Sequence, residues 1–197
     1  MTPVVLASTS AVRRTLLAAA GLSFTAISPG VDEEAVKTEM LAKGEGPKAV
    51  AQALADIKAQ RVSREMSGLV IGADQTLDLD GALFDKVPTL AAARERLVVL
   101  RGREHRLHAG VAIAKAGAVI WRKTVTTRLV MRGFSDAWLD DYLARNAEAA
   151  LSSVGCYHLE GEGAQMFEAV EGDYFSILGL PLLDVMACLR EHGALEA

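Results

Sequence analysis

The chain has 197 residues, half of them hydrophobic (51%), which supports one globular domain with its own core and excludes a disordered chain. Lys and Arg number 21 against 25 Asp and Glu, a net charge of −4, so a broad basic face for a nucleic-acid polymer is excluded and any anion site must be a local cluster of cations. No stretch approaches the ~18 apolar residues of a membrane span, and the first residues lack the basic and apolar regions of a signal peptide, so the expectation is a cytoplasmic protein with no membrane partner.

Val4 to Ala7 reads as a short buried strand, followed by Ser8-Thr9-Ser10 and a helix from about Ala11 to Ala20 that Gly21 stops. Phe24 to Ile27 is a second short strand, broken by Pro29-Gly30, after which the acidic Asp32-Glu33-Glu34 reads as a loop. Pro47 suits the first turn of a helix running to about Met66, with Ala51, Leu54 and Lys58 on one of its faces. Leu69 to Ala73 is an apolar run typical of a buried strand, and Asp80-Gly81 signals a hairpin. Thr89 caps a helix through Leu100, and Arg106–Ala114 and Val119–Met131 read as antiparallel strands joined at Ala116-Gly117. Ser135 caps a helix to Arg145, a glycine-rich charged tail spans Ser153 to Gly172, and a last helix ends near His192. Helices interleave with both separate and paired strands, so the fold class is α/β with a mixed sheet and flanking helices. Cys156 and Cys188 are expected to be free thiols.

Four segments carry chemistry. In Ser8-Thr9-Ser10-Ala11-Val12-Arg13-Arg14 a strand hands over to a helix, where free backbone N–H groups, two hydroxyls and two guanidinium groups favour an anion. Taken alone, Ser10 is equally an N-cap with the arginines in solvent. Gly72-Ala73-Asp74-Gln75 ends an apolar run in a carboxylate that could hold a metal or activate water, or simply cap a turn. Lys58 and Lys86 are informative only if they converge on one cleft. The run Gly155-Cys156-Tyr157-His158-Leu159-Glu160-Gly161-Glu162-Gly163 combines glycines that permit close approach to a ligand with carboxylates that could contact base or sugar edges. Glu33 is a possible oxygen ligand for Mg²⁺ and, taken alone, a plain loop carboxylate. Asp78 and Asp80 read as surface charges, and His105, His108, His158 and His192 as residues at the surface or behind the site.

The order of these segments is specific. Leu-Ala-Ser-x-Ser with Arg-Arg, Asp-Glu, a Lys in an alanine-rich helix, Gly-x-Asp-Gln, Lys before Pro, then Glu-Gly-x-Gly, Phe-Glu and Gly-Leu-Pro-Leu resemble the Maf family of nucleotide pyrophosphatases from Val4 to about Leu189. The resemblance implies a mixed twisted sheet with flanking helices, similar to the inosine triphosphatases, with two lobes around a deep cleft. It also implies a homodimer and hydrolysis of a nucleoside triphosphate at the α–β anhydride with Mg²⁺ or Mn²⁺. By that likeness Asp74 is the catalytic carboxylate and a metal ligand, and Glu33 assists with the metal. Ser8, Arg13, Arg14, Lys58, Gln75 and Lys86 bind the substrate, and Glu160 lines the nucleotide pocket.

The extra residue in Ser10-Ala11-Val12-Arg13-Arg14, and Gln75 after Asp74, resemble the branch that acts on 7-methyl-GTP. The branch that acts on dTTP and UTP has Ser-Pro-Arg-Arg and Gly-Ala-Asp-Thr. Ala73 matches the second branch, and Ala11, His158 and Asp85-Lys86-Val87-Pro88 depart from the usual motifs. The rival reading is a nucleotide-binding regulator of septum formation that does not turn its ligand over.

Overall fold

Val4-Val5-Leu6-Ala7 is buried along its whole length, which requires a strand covered on both faces and flanked on both edges. In the computed structural model, which describes residues 1–196, this run is β1 (Val4–Ala7), lying parallel between β2 (Thr25–Ile27) and β3 (Leu69–Leu79). β4 (Ala82–Phe84), β5 (Glu104–Lys115), β6 (Ala118–Met131) and β7 (Phe167–Glu171) add antiparallel pairs. Among the described residues the result is a mixed seven-stranded sheet in the order β2-β1-β3-β5-β6-β7, with β4 also on β3. No helix among these residues is long and apolar enough to cross a membrane.

The two edges of β3 differ. β5 follows one edge from Val70 to Asp78. The other edge is shared by β1, which pairs with Leu69 to Gly72, and by β4, which pairs with Leu77 to Leu79. Ala73 to Thr76 are therefore unpaired on that edge, and the strand presents a gap there.

The helices are α1 (Ala11–Ala19), α2 (Glu33–Ala42), α3 (Pro47–Ser63), α4 (Leu90–Leu100), α5 (Asp136–Arg145), α6 (Ala147–Ser152), α7 (Tyr174–Ile177) and α8 (Leu182–Glu191). Side chains alternate across a strand, so Gly72, Asp74, Thr76 and Asp78 share one face of β3. That face meets α3. A Cβ on Gly72 would stand 2.3 Å from the Ala55 carbonyl oxygen, and one on Gly110 2.5 Å from that of Ala51. Only glycine lets the helix lie this close to the sheet. On the opposite face two cores pack side by side. One joins Leu6, Ile71, Val111 and Ile113 to Leu17 of α1 and Val185, Cys188 and Leu189 of α8. The other joins Leu77, Leu107 and Leu129 to Leu97 of α4, Tyr142 of α5, and Cys156. Both cysteines are buried and free.

Several sequence expectations need correcting. β3 does not stop at Ala73 but runs to Leu79, because Thr76-Leu77-Asp78-Leu79 continues the period-two pattern past the polar Asp74-Gln75. Asp74 is therefore within a strand and not at its end. The acidic segment at Glu33 is a helix capped by the Asp32 side chain; it has no fully buried residue and so no strong apolar period. α3 ends at Ser63, short of Met66. The tail, which follows α6, contains a 3-10 turn at Glu162–Met166 and the edge strand β7. Asp78 is not a surface charge but largely covered, and it accepts from the buried His108 Nε2 at 3.1 Å.

Candidate active site

The gap in the edge of β3 opens into a cavity of about 350 Å³. Five elements supply most of its charged lining. Arg13 comes from α1, Glu33 and Lys37 from α2, Lys58 from α3, Asp74 from β3, and Asp85 and Lys86 from the segment after β4. The second wall is formed by Leu107, Ile177 and residues 152 to 160, including Val154, Tyr157, Leu159 and Glu160. The Ser8–Arg13 turn and Tyr157 both line this cavity.

The centre of the charged wall is a buried ion triplet. Lys58 belongs to the α3 stripe pressed against the sheet, and only 6% of its side chain is exposed. Its ammonium group donates to Asp74 Oδ1 at 2.6 Å and lies 2.7 Å from Glu33 Oε1. Burial raises the Asp74 carboxyl above the usual carboxylate range; the charges of Lys58 and Arg13 oppose this shift in part. Asp74 Oδ2 has no hydrogen-bond partner among the described residues.

Arg13 is also buried, and burial pulls its guanidinium below its ordinary value while Asp74 and Glu33 oppose the shift. Arg13 Nε donates to the Gly179 carbonyl at 2.8 Å, and one terminal nitrogen reaches Ser8 Oγ at 3.4 Å. Ser10 accepts from the Arg13 backbone N–H as the N-cap of α1, and Ser8 Oγ accepts from the Ser10 N–H at 3.2 Å. The Gly179 carbonyl is placed in turn by Gln75. Gln75 lies on the β3 face opposite Asp74, at the seam between the two cores, where its Nε2 donates to the Ser176 and Ile177 carbonyls at 3.0 and 2.9 Å. Gln75 therefore secures the end of α7 beside Arg13.

The structure brings together Ser8, Arg13, Glu33, Lys58, Asp74, Gln75, Lys86 and Glu160, all of which the sequence singled out. It does not bring Arg14, which is exposed and does not line the cavity. Successive helix residues are about 100° apart, and here that step turns Arg14 away from the cavity that Arg13 lines. Sequence reasoning missed Lys37 and Asp85, which form an ion pair at the cavity, and Tyr157. Lys37 stands one turn after Glu33, a signal that becomes visible only once Glu33 is placed on a helix. Burial pulls Lys37 down, but the hydrogen bond and charge of Asp85 outweigh it and raise the group above its ordinary value.

The second wall is held differently. Tyr157 is buried, and its hydroxyl meets His105 Nε2 at 2.6 Å. Burial holds His105 at about 4, so the imidazole is neutral at physiological pH. Its Nδ1 is the one buried side-chain N or O atom among the described residues without a partner. Gly155 and Gly163 leave room for this wall: a Cβ on Gly155 would strike the Tyr157 ring at 2.3 Å, and one on Gly163 the His158 carbonyl at 2.5 Å. Arg96 of α4 donates to the Asp85 and Val154 carbonyls at 2.7 and 3.0 Å, joining the two walls at their rim.

Residues 3–192 match the model of a family described as Maf-like protein. A nucleoside triphosphate pyrophosphatase of Caulobacter vibrioides is 55% identical over 99% of this chain and 98% of its own length. A 7-methyl-GTP pyrophosphatase of Rhizobium meliloti is 45% identical over 98% of both. One of the same description from Rhizobium johnstonii is 48% identical over all of both chains.

Proposed function

The chain belongs to the Maf family, and from that premise we propose that it is a nucleoside triphosphate pyrophosphatase, a hydrolase that releases pyrophosphate and the nucleoside monophosphate. The observation that carries this reading is the buried triplet Glu33–Lys58–Asp74 beside Arg13 at an open strand edge. Carboxylates that activate water and cations that hold polyphosphate meet there in one cavity.

Mg²⁺ or Mn²⁺ fits the donor set. Glu33 and Asp74 both approach a single cationic centre, now the Lys58 ammonium, through oxygen atoms. Hard divalent ions of this kind take one or two carboxylates and complete their shell with phosphate and water, so a cage of three or more protein ligands is not required. The described residues contain no such cage. Asp74 and Glu33 would hold the ion, which would supply charge neutralisation at the phosphates and a more acidic bound water.

The chain's own residues account for the rest. Arg13 and Lys86 bind phosphate oxygens, and Lys58 holds the two carboxylates in place. Asp74 Oδ2, free of protein partners, is the oxygen left either to hold the ion or to take the proton of the attacking water. Its raised affinity for protons suits a general base. Pyrophosphate leaves without a demanding proton transfer, so positioning and electrostatics dominate.

For the base we propose 7-methylguanine. The wall opposite the cations offers the Tyr157 ring, apolar Val154 and Leu159, and the Glu160 carboxylate. A methylated guanine carries positive charge and two N–H donor groups, which such a carboxylate complements. The relatives described as 7-methyl-GTP pyrophosphatases support the same reading. A cytoplasmic homodimer is the expected assembly, and light scattering of the purified chain reads the subunit number. The deciding experiment is pyrophosphate release with Mg²⁺ from a panel of 7-methyl-GTP, GTP, UTP and dTTP. Turnover fastest with 7-methyl-GTP is expected. UTP or dTTP in first place overturns the base assignment, and tight binding without pyrophosphate favours a nucleotide-sensing regulator.

A further inference from the structure

The cavity's charged lining is balanced. Arg13, Lys37, Lys58 and Lys86 face Glu33, Asp74, Asp85 and Glu160. A triphosphate brings roughly four negative charges and a divalent ion offsets two of them, so cations already paired with carboxylates must change partners when substrate enters. Lys58 is fixed between two carboxylates in the rigid contact of α3 with the sheet. Lys37 is placed differently. It belongs to the half-buried stripe Glu33, Val36, Lys37 and Met40 of α2, a helix without a fully buried residue. Only 12% of its side chain is exposed, and its ammonium lies in the cavity on Asp85, whose own side chain is 41% exposed. A largely covered cation with a well-solvated partner has little to lose by exchanging that partner for phosphate oxygens.

We infer that Lys37 is a substrate-binding residue, held by Asp85 in the empty cavity and transferred to the polyphosphate of the bound nucleotide. Lys86, which pairs with no carboxylate among the described residues, adjoins Asp85, so the transfer places two lysines on the same end of the polyphosphate. Asp85 is then released to solvent at the cavity rim. The inference rests on the triphosphate reading above and adds to it a residue from a helix that the sequence shows only as an acidic loop.

The test compares Lys37→Met, Asp85→Asn and the double variant. If Lys37 binds substrate, Lys37→Met raises KM about tenfold, the loss expected for one charge-assisted hydrogen bond, with kcat changed less than KM. Asp85→Asn leaves Lys37 present and unpaired, so KM stays level or falls, and the double variant behaves as Lys37→Met. If the pair is only a tether for α2, Lys37→Met and Asp85→Asn raise KM equally, and that result overturns the proposal, as does an unchanged KM in Lys37→Met. Melting curves on each variant, with Lys37→Gln as a second replacement, separate a folding defect from a binding one. Calorimetric titration with inorganic tripolyphosphate and Mg²⁺ reads the Lys37 contribution without turnover. Should the wild-type chain release no pyrophosphate from any nucleotide, the hydrolase reading fails, while this titration still decides the role of Lys37.

Discussion

The two walls of the cavity are built by opposite means. The charged wall rests on regular elements in close contact: α3 lies on Gly72 and Gly110 with no room for a Cβ, and Lys58 reaches Asp74 from that contact. The wall around Tyr157 rests on an irregular segment, residues 153 to 161, held by side-chain hydrogen bonds such as His105 to Tyr157 and Arg96 to Val154. A reaction centre needs fixed distances between charges, which helix–sheet packing provides. A selective surface can vary in a loop without disturbing those distances. On the function proposed above, the chemistry and the choice of base are separable in this molecule.

Four substitutions break or sharpen that contrast. The largest effect is expected for Asp74→Asn, which should cut kcat about a thousandfold, or roughly 4 kcal/mol of barrier, in a pyrophosphate-release assay. The same variant should melt higher at neutral pH. The folded Asp74 carboxyl is raised above its unfolded value, so its contribution to stability is full below about pH 4 and is lost as pH rises through the folded value. The gain in melting temperature should accordingly vanish below about pH 4, and its absence at neutral pH would contradict the burial argument. Next comes Gly72→Ala. Its added Cβ meets the Ala55 carbonyl at 2.3 Å, so denaturant titration should show a loss of about 3 kcal/mol, and the displaced Lys58 should lower kcat as well.

Glu160→Gln should act on choice and not on rate. The kcat/KM ratio of 7-methyl-GTP over GTP is expected to fall about tenfold, the weight of one charged hydrogen bond, with little change in the melting curve. A fall in kcat for every substrate alike would place Glu160 with the chemistry instead. Arg14→Ala should do least: the side chain is exposed and away from the cavity, so steady-state constants should move by no more than about twofold.

Much of this plan is legible in the chain itself. The apolar run Val4–Ala7, the caps Ser10, Thr89 and Ser135, and the hairpin at Asp80-Gly81 announce their elements, since each depends on local chemistry. The Asp74–Lys58–Arg13 cluster could be guessed from motif order, but its meeting in space follows from the pairing of β1 with β3, which no local pattern encodes. α2 was hidden because its covered stripe is polar, with Glu33 and Lys37 where an apolar period would be sought. β7 was hidden because an exposed edge strand with the sequence Phe-Glu-Ala-Val-Glu buries too little to mark itself. Arg13 and Arg14 look alike in sequence, and only the helix phase separates the buried one from the exposed one.

Each of the two cores holds one cysteine, Cys188 beside α1 and β1 and Cys156 beneath Tyr157. Burial pushes the Cys156 thiol up to about 11 and raises Cys188 as well, so neither offers a thiolate to an alkylating reagent while the fold is closed. Modification must then wait for local opening, and mass spectrometry of the two sites becomes a pair of clocks. Equal rates mean that the halves breathe as one body, whereas faster labelling at Cys156 means that the loop-built half loosens on its own.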